Sequence, residues 1–237
     1  MPNDAASNEQ QREKLSTKIF AIGLLIIALI SIAVALNHPE PATRTDTTAT
    51  ALASIAGQSR AIFSVHATLI VLMLLTAIGM NGLTRKLSHN SQLSMAAMAA
   101  MGLSMLSMSL AALVNGFAVP IWASAYPVPL SPESDAAARA ILMFASSLNR
   151  VFANAAVLLS SLSLLLFGIS FAAKPGALRL VGGLGCMIGL GTLIGLLTGA
   201  FILDYRGFNL TNALFYICIA AFAGYILFAG SEHLNSR

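Results

Sequence analysis

Charge is what this chain has least of. Only 9% of its 237 residues are Asp, Glu, Lys or Arg, where a soluble domain carries about 25%. That shortage excludes an ordinary water-facing surface. The 13 basic and 9 acidic residues leave a formal net charge of +4. No basic run is long enough to grip nucleic acid. Cysteine is scarce too: Cys186 and Cys218 each lie inside an apolar run, with no CxxC, CxxCH or zinc spacing. Both read as small buried hydrophobes.

Catalytic and transport signatures are missing as well. The sequence has no GxSxG, HExxH or GxxxxGK[ST] and no TVGYG-like filter. The Asn37-His38-Pro39 triplet is not repeated, so it does not mark a water channel. No pair of interrupted half-spans marks an inverted-repeat transporter. Acidic residues within the apolar runs are few, which speaks against a proton pump.

What remains is apolar. Hydrophobic residues make up 57% of the chain and the mean hydropathy is +0.81. A helix needs roughly 20 apolar residues to cross a hydrocarbon core about 30 Å thick. Six runs qualify, at about 18–37, 61–83, 93–118, 148–172, 178–203 and 207–229. The expected fold is therefore all-α: a polytopic membrane bundle of six transmembrane helices. It divides into a polar tail (1–17), a membrane domain (18–229) and a second tail (230–237). The first run has signal-peptide features, with Lys14 and Lys18 before it and Ala33-Val34-Ala35 near its end. Its length and its long polar lead favour an uncleaved anchor.

Lys and Arg set the expected orientation. With the N-terminus inside, Arg12, Lys14, Lys18, Arg85, Lys86, Lys174, Arg179 and Arg237 fall inside. Arg44, Arg60, Arg139 and Arg206 fall outside, and Arg150 stays within a span. Both termini are thus expected in the cytoplasm. The long outer loops are 38–60 and 119–147. The first is rich in Thr and Ala and is expected to be partly helical. In the second, Trp122 and Tyr126 suit a membrane–water boundary, and the prolines disfavour a continuous helix. Ser131-Pro132-Glu133 reads as a helix start: an N-cap, a proline at the first position, an acid near the positive end. A straight helix from Pro132 to Ala172 would be about 60 Å long, twice the membrane core.

Span five carries Gly191, Gly195 and Gly199 every fourth residue, with Gly185 and Gly189 on another face. Small residues at this spacing let helix backbones meet closely. It is expected to be the central helix, and the first three glycines also offer a homodimer contact. Span three aligns Met95, Met98, Met101, Met105 and Met108 on one face. Thioethers suit Cu(I), but no Cys or His joins the stripe, so a packing face is the favoured reading and no metal site is expected.

The stretch "SSLNRVFANAAVLLSSLSLLLFG", 146–168, is unusually polar for a span. Ser147, Arg150, Asn154 and Ser161 share a helix face, beside Asn149. Asn154 would lie about 9 Å inside the outer boundary. His66, Asn115 and Asp204 are expected at similar depth, as are Asn209, Asn212 and Tyr216 on one face of span six. The inner ends offer less, with Asn81 the clearest. A charge in a span usually faces the bundle interior or water and is paired. Asp204 is the expected partner of Arg150. The cluster reads either as a closed structural network or as an outward-facing pocket for something polar or anionic, with Arg150 as the anion contact. His66 is by default a hydrogen-bonding core residue and otherwise a proton carrier beside Asp204. It lacks a second intramembrane histidine for haem, and no cofactor is identified.

The layout resembles small six-span bacterial inner-membrane proteins of unassigned role. "LNRVFANAAVLLSSLSLLLFG" and the glycine-rich fifth span carry that likeness. The resemblance implies a multi-pass protein of the bacterial inner membrane, and it implies no activity and no site residues. The expected function is a non-enzymatic accessory or binding subunit, recognising a small polar ligand, lipid headgroup or partner protein at its outer, periplasmic face. A small-solute transporter using the same cluster is the alternative. An intramembrane enzyme acting on a lipid-linked substrate, with His66 and Asp204 as acid–base groups, is the third.

Overall fold

A computed structural model describes residues 2–36, 47–87, 92–126, 130–174, 176–198 and 205–228. Every regular element among them is helical. In chain order they are α1 (Pro2–Leu36), α2 (Thr48–Gly57), α3 (Ser59–Leu87) and α4 (Gln92–Leu113). A π-helical segment (Val114–Ala118), α5 (Val119–Ala125), α6 (Pro132–Ala172), α7 (Ala177–Leu197) and α8 (Tyr205–Phe228) follow. Six helical stretches are long and apolar enough to cross a membrane, the pattern of a multi-pass helical membrane protein.

Three local features follow from sequence chemistry. The polar lead 2–14 is helical and continuous with the first span. Pro2 sits at the helix start, where its missing N–H costs nothing, and the Ala, Gln, Glu, Arg and Lys that follow are good helix formers. α2 opens on Thr47, whose side chain accepts the N–H of Thr50. α6 opens as expected: Ser131 Oγ accepts the N–H of Ser134, Pro132 is the first residue, and Glu133 and Asp135 lie in the first turn.

The third span departs from expectation. Instead of ending near residue 118, it runs unbroken to Ala125. Pro120 has no N–H to donate, and its ring would press on the carbonyl four residues back, that of Gly116. The π-helical segment lies directly before it, and the N–H of Val119 reaches back five residues to the carbonyl of Val114. The wider turn makes room for the ring without ending the helix.

The membrane helices pack in chain order. α1 meets α3, α3 meets α4, α4 meets α6, α6 meets α7 and α7 meets α8; α8 returns against α1. The centre is filled by Leu24, Met80, Met101, Phe167, Phe215, Ile219 and Phe222. Phe171 stacks on Phe222 with centroids 4.6 Å apart. The glycine-rich span is not the central one. Half of α8's membrane window is buried but only 28% of α7's, so α8 holds the middle and α7 flanks α6.

Backbone proximity explains the α6–α7 contact. A Cβ on Gly182 would overlap the backbone nitrogen of Ala172. One on Gly189 would lie 2.7 Å from Leu165 N and Ser161 O, and one on Gly168 would lie 2.6 Å from Cys186 N. The face used is thus Gly182, Gly185 and Gly189. Gly191 has open space beside it, and Gly199 lies outside the described residues.

Serines supply the α4–α6 contact. Ser163 Oγ donates to the Ala97 carbonyl at 2.9 Å and Ser104 Oγ to the Ala156 carbonyl at 2.8 Å. The hydroxyls of Ser94 and Ser170 lie 3.2 Å apart.

One end of the bundle, the loop end, has an added layer. α2, α5 and the first turns of α6 enclose a small core of Leu52, Ala123 and Ala138, flanked by Ile55, Trp122, Tyr126, Leu130 and Leu142. Tyr126 donates its hydroxyl to the Ser134 carbonyl at 3.1 Å, fixing the turn into α6.

Candidate functional site

A cleft of about 520 Å³ lies at the loop end, between the first turns of α3 and the π-helical segment with α5. Its position follows from the π-helical segment, because that turn brings Gly116 against α3. A Cβ on Gly116 would overlap the His66 Cβ and ring, so only glycine allows this approach. Phe63 on α3 and Phe117 on the π-helical segment lean on each other, with ring centroids 4.3 Å apart. Pro120 and Ile121 extend the apolar wall.

Polar groups line the cleft as well: Ser59, Arg60, Ser64 and Ser124. Arg60 is exposed, so its guanidinium is free to meet a ligand or water. Ser64 Oγ donates to the Arg60 carbonyl at 2.9 Å, and Ser124 Oγ donates to the Pro120 carbonyl at 2.8 Å. Each hydroxyl has one proton and has placed it on its own helix. What both still offer a visitor is a lone pair.

The cleft's depth is defined by its helices. The apolar stretch of α3 begins at Ser59, and that of α4 through α5 ends at Ala125. Arg60 and Ser124 are each the second residue from the loop-end limit of those stretches. Among the described residues, the lining has one cationic side chain and no carboxylate.

Of the residues expected from sequence, two neighbour Gly116, which lines this cleft. His66 is buried against Gly116. Its Nδ1 lies 2.8 Å from the Ile62 carbonyl. A carbonyl only accepts, so Nδ1 carries the proton in that bond. Asn115 is half-buried on the π-helical segment, next to Gly116.

The others are distributed elsewhere. Arg150 and Asn154 are exposed on α6, and Asn149 is half-buried. Ser161, on the same helix face, is buried where α7 packs, with its carbonyl against Gly189. Asn154 lies seven residues nearer the loop end, about 10 Å along the axis. Since α7 runs antiparallel to α6, that is where α7 itself ends. Asn209 and Asn212 are half-buried on the first turns of α8, which packs on α1, α7 and α6 rather than on the cleft. Tyr216 is buried in the apolar core. Asp204 lies outside the described residues. Asn81 is exposed.

The methionine stripe divides in the same way. Met101 is fully buried, Met98 and Met105 pack against the core, and Met95 is 62% exposed. Thr84 Oγ1 donates to Met98 Sδ at 3.8 Å, which makes that thioether part of the α3–α4 contact. Among the described residues, no group of three or more His, Cys, Asp or Glu could hold a metal ion.

Arg60, Phe63 and Phe117 are site residues that sequence reasoning missed. In the sequence Arg60 is only one of four outer-loop arginines. A signal was nevertheless present: an arginine at the first turn of a span, three residues before a phenylalanine, facing a second span interrupted by Asn-Gly-Phe and Pro. No family model matches this chain, and neither does any curated protein or solved structure.

Proposed function

We propose that this protein is a non-enzymatic binding or accessory subunit of the bacterial inner membrane. Both termini face the cytoplasm and the loop end faces the periplasm, where the protein recognises a small polar ligand, a lipid headgroup or a partner protein. The observation that carries this reading is the cleft of about 520 Å³ at the loop end, with an exposed arginine at its rim and aromatic walls. Pockets that combine apolar walls with a few placed polar groups are the usual form of binding sites.

Two observations favour binding over transport or catalysis. Leu24, Met101, Phe167, Phe215 and Phe222 fill the middle of the bundle beneath the loop end, where a solute path would have to run. His66 Nδ1 is engaged by the Ile62 carbonyl, and the ring supports the backbone approach at Gly116. The pairing of Arg150 with Asp204 is a second element of the proposal. Arg150 lies on α6 near the level where α7 ends, and the chain passes from Thr198 through Asp204 to α8. It would join the two helix ends and stiffen the loop end around the site.

The test is native mass spectrometry on protein extracted gently from its own membrane. A stoichiometric protein partner, or a retained small molecule or lipid, is expected. A bare protein under several mild extraction conditions would overturn the reading.

A further inference from the structure

We infer that the loop-end half of α6 is a docking surface for one helix of a second protein, which continues the path of α7 along α6 and sets a carboxylate against Arg139. This surface is separate from the cleft and does not depend on what fills it.

The first observation is a row of residues covered along one half of α6 and open along the other. Ser161, Leu164, Gly168 and Phe171 follow steps of three, four and three, the spacing of a seam between paired helices. All four are buried, and α7 covers them. A Cβ on Gly189 would lie 2.7 Å from the Ser161 carbonyl oxygen, and one on Gly185 would lie 3.3 Å from that of Leu164. One on Gly182 would lie 2.7 Å from the Gly168 carbonyl oxygen and 2.8 Å from the Phe171 carbonyl carbon. Toward the loop end the same spacing passes Val157 and continues through Asn154, Arg150, Ser147, Met143, Ala140 and Ala136, and these six are all exposed. α6 has 41 residues and α7 has 21, so the seam outruns its cover. The open row, from Ala136 to Asn154, is about 27 Å long, the length of a helix of roughly 18 residues.

The second is apolar surface beyond the part of α6 that spans the membrane. Val151 to Ala172 carry no charge. They run about 33 Å and by themselves cross a core of about 30 Å. Glu133, Asp135, Arg139 and Arg150, all the charges of α6, lie nearer the loop end. Met143 and Phe144 stand about two turns beyond Val151, 63% and 69% exposed, and no charge lies between Arg139 and Arg150. A contiguous apolar face of this kind marks an interface. The layer of α2 and α5 does not cover it. That layer meets α6 at Ala138, and a residue two positions from both Ala136 and Ala140 is on the opposite side of the helix.

The third is charge. Arg139 is exposed beside Ala140, on the flank of the row, where paired helices exchange ion pairs. A helix with Asp or Glu at the facing position is complementary. A second copy of this chain is not. Two copies in one membrane are related by an axis along its normal, so α6 would meet α6 in parallel and in register. Glu133 would then face Glu133, and two arginines at position 150 would compete for one space. In the single chain Arg150, at the foot of the row, keeps the Asp204 partner proposed above.

The experiment uses the full chain in its own membrane, with a diazirine amino acid placed singly at each position from 136 to 151. Adducts to one partner protein are expected at 136, 140, 143 and 147, and the cross-linked peptide should be a helix carrying Asp or Glu. Arg139→Glu should lower the yield at 143 about fivefold, the upper range for one exposed ion pair. Reversing the partner's carboxylate to Lys should restore it. Ala140→Trp, which keeps the charge and overfills the row, should abolish the adduct. Thermal unfolding of each variant verifies that it is folded. Yields that are even around the helix, adducts to lipid alone, or adducts to this chain or a second copy of it each overturn the inference. So does a yield indifferent to Arg139→Glu. None of these outcomes bears on the cleft, whose ligand is tested by retention in the native mass spectrum.

Discussion

At the scale of single residues, a few positions determine the site, and Gly116 is the most constrained. Its Cα lies so close to His66 that a Cβ would overlap the His66 Cβ and ring. Overpacking of this kind costs about 1–3 kcal/mol. Gly116→Ala is therefore expected to lower the unfolding midpoint in detergent, and His66→Ala in the same chain should not restore it. The nearest obstacle is the Cβ of residue 66, which alanine keeps. A full rescue would mean that only the ring is in the way and that the backbones are less tightly apposed. His66 shows what a lone sequence can and cannot show. A histidine inside a span invites a proton or haem role, but its neighbour across the helix contact is a glycine 50 residues on, and its Nδ1 proton goes to its own helix. Tyr216 illustrates the same limit. Helical spacing groups it with Asn209 and Asn212 on one face, yet the core covers that face about one turn beyond Asn212.

At the scale of helices, glycine spacing names the helix that packs closely but not the face it uses. α7 has glycines on several faces, and the face against α6 is set by Gly168 on the partner helix and by where backbone can meet backbone. Gly189→Ala and Gly191→Ala separate the two faces. The first places a methyl 2.7 Å from Leu165 N and Ser161 O and should destabilise the fold by about 1–3 kcal/mol. The second meets nothing within 4 Å and should be neutral, or stabilising by up to about 1 kcal/mol from helix propensity. Thermal melts of the two variants provide the comparison. If Gly191→Ala instead shifted a dimer to monomer by native mass spectrometry, the open glycine face would be a contact between two copies. The α4–α6 contact was less legible. Ser94, Ser104, Ser163 and Ser170 look like ordinary small residues in sequence, and only the pairing of the two helices shows that they bridge them. The π-helical turn belongs here too. Proline at 120 reads as a stop, but a helix that widens by one residue ahead of it continues, and the cleft is a product of that continuation.

At the scale of the whole molecule, the helices at the loop end are too long for the membrane. α6 has 41 residues, about 60 Å, against a core of about 30 Å. Half of it must project, with α2 and α5 capping it through the small core around Leu52, Ala123 and Ala138. With the orientation proposed above, Ser134→Cys should react with a membrane-impermeant maleimide added to spheroplasts, and Lys174→Cys should react only after lysis. The native Cys186 and Cys218 lie within spans and should give little background. The reverse pattern would place the loop end in the cytoplasm and remove the periplasmic site.

Composition and hydropathy alone determined that this is a multi-pass helical chain, because lipid demands long apolar helices with their backbone bonds satisfied internally. Capping chemistry alone marked the start of α6, since Ser-Pro-Glu needs only its own next turn to act. The order of packing, the burial of α8 in place of α7, the face by which α7 meets α6 and the cleft at Arg60 were decided by tertiary structure. Each depends on which backbones approach within a few ångströms across long separations in the chain, and periodicity within one helix says nothing about what lies opposite.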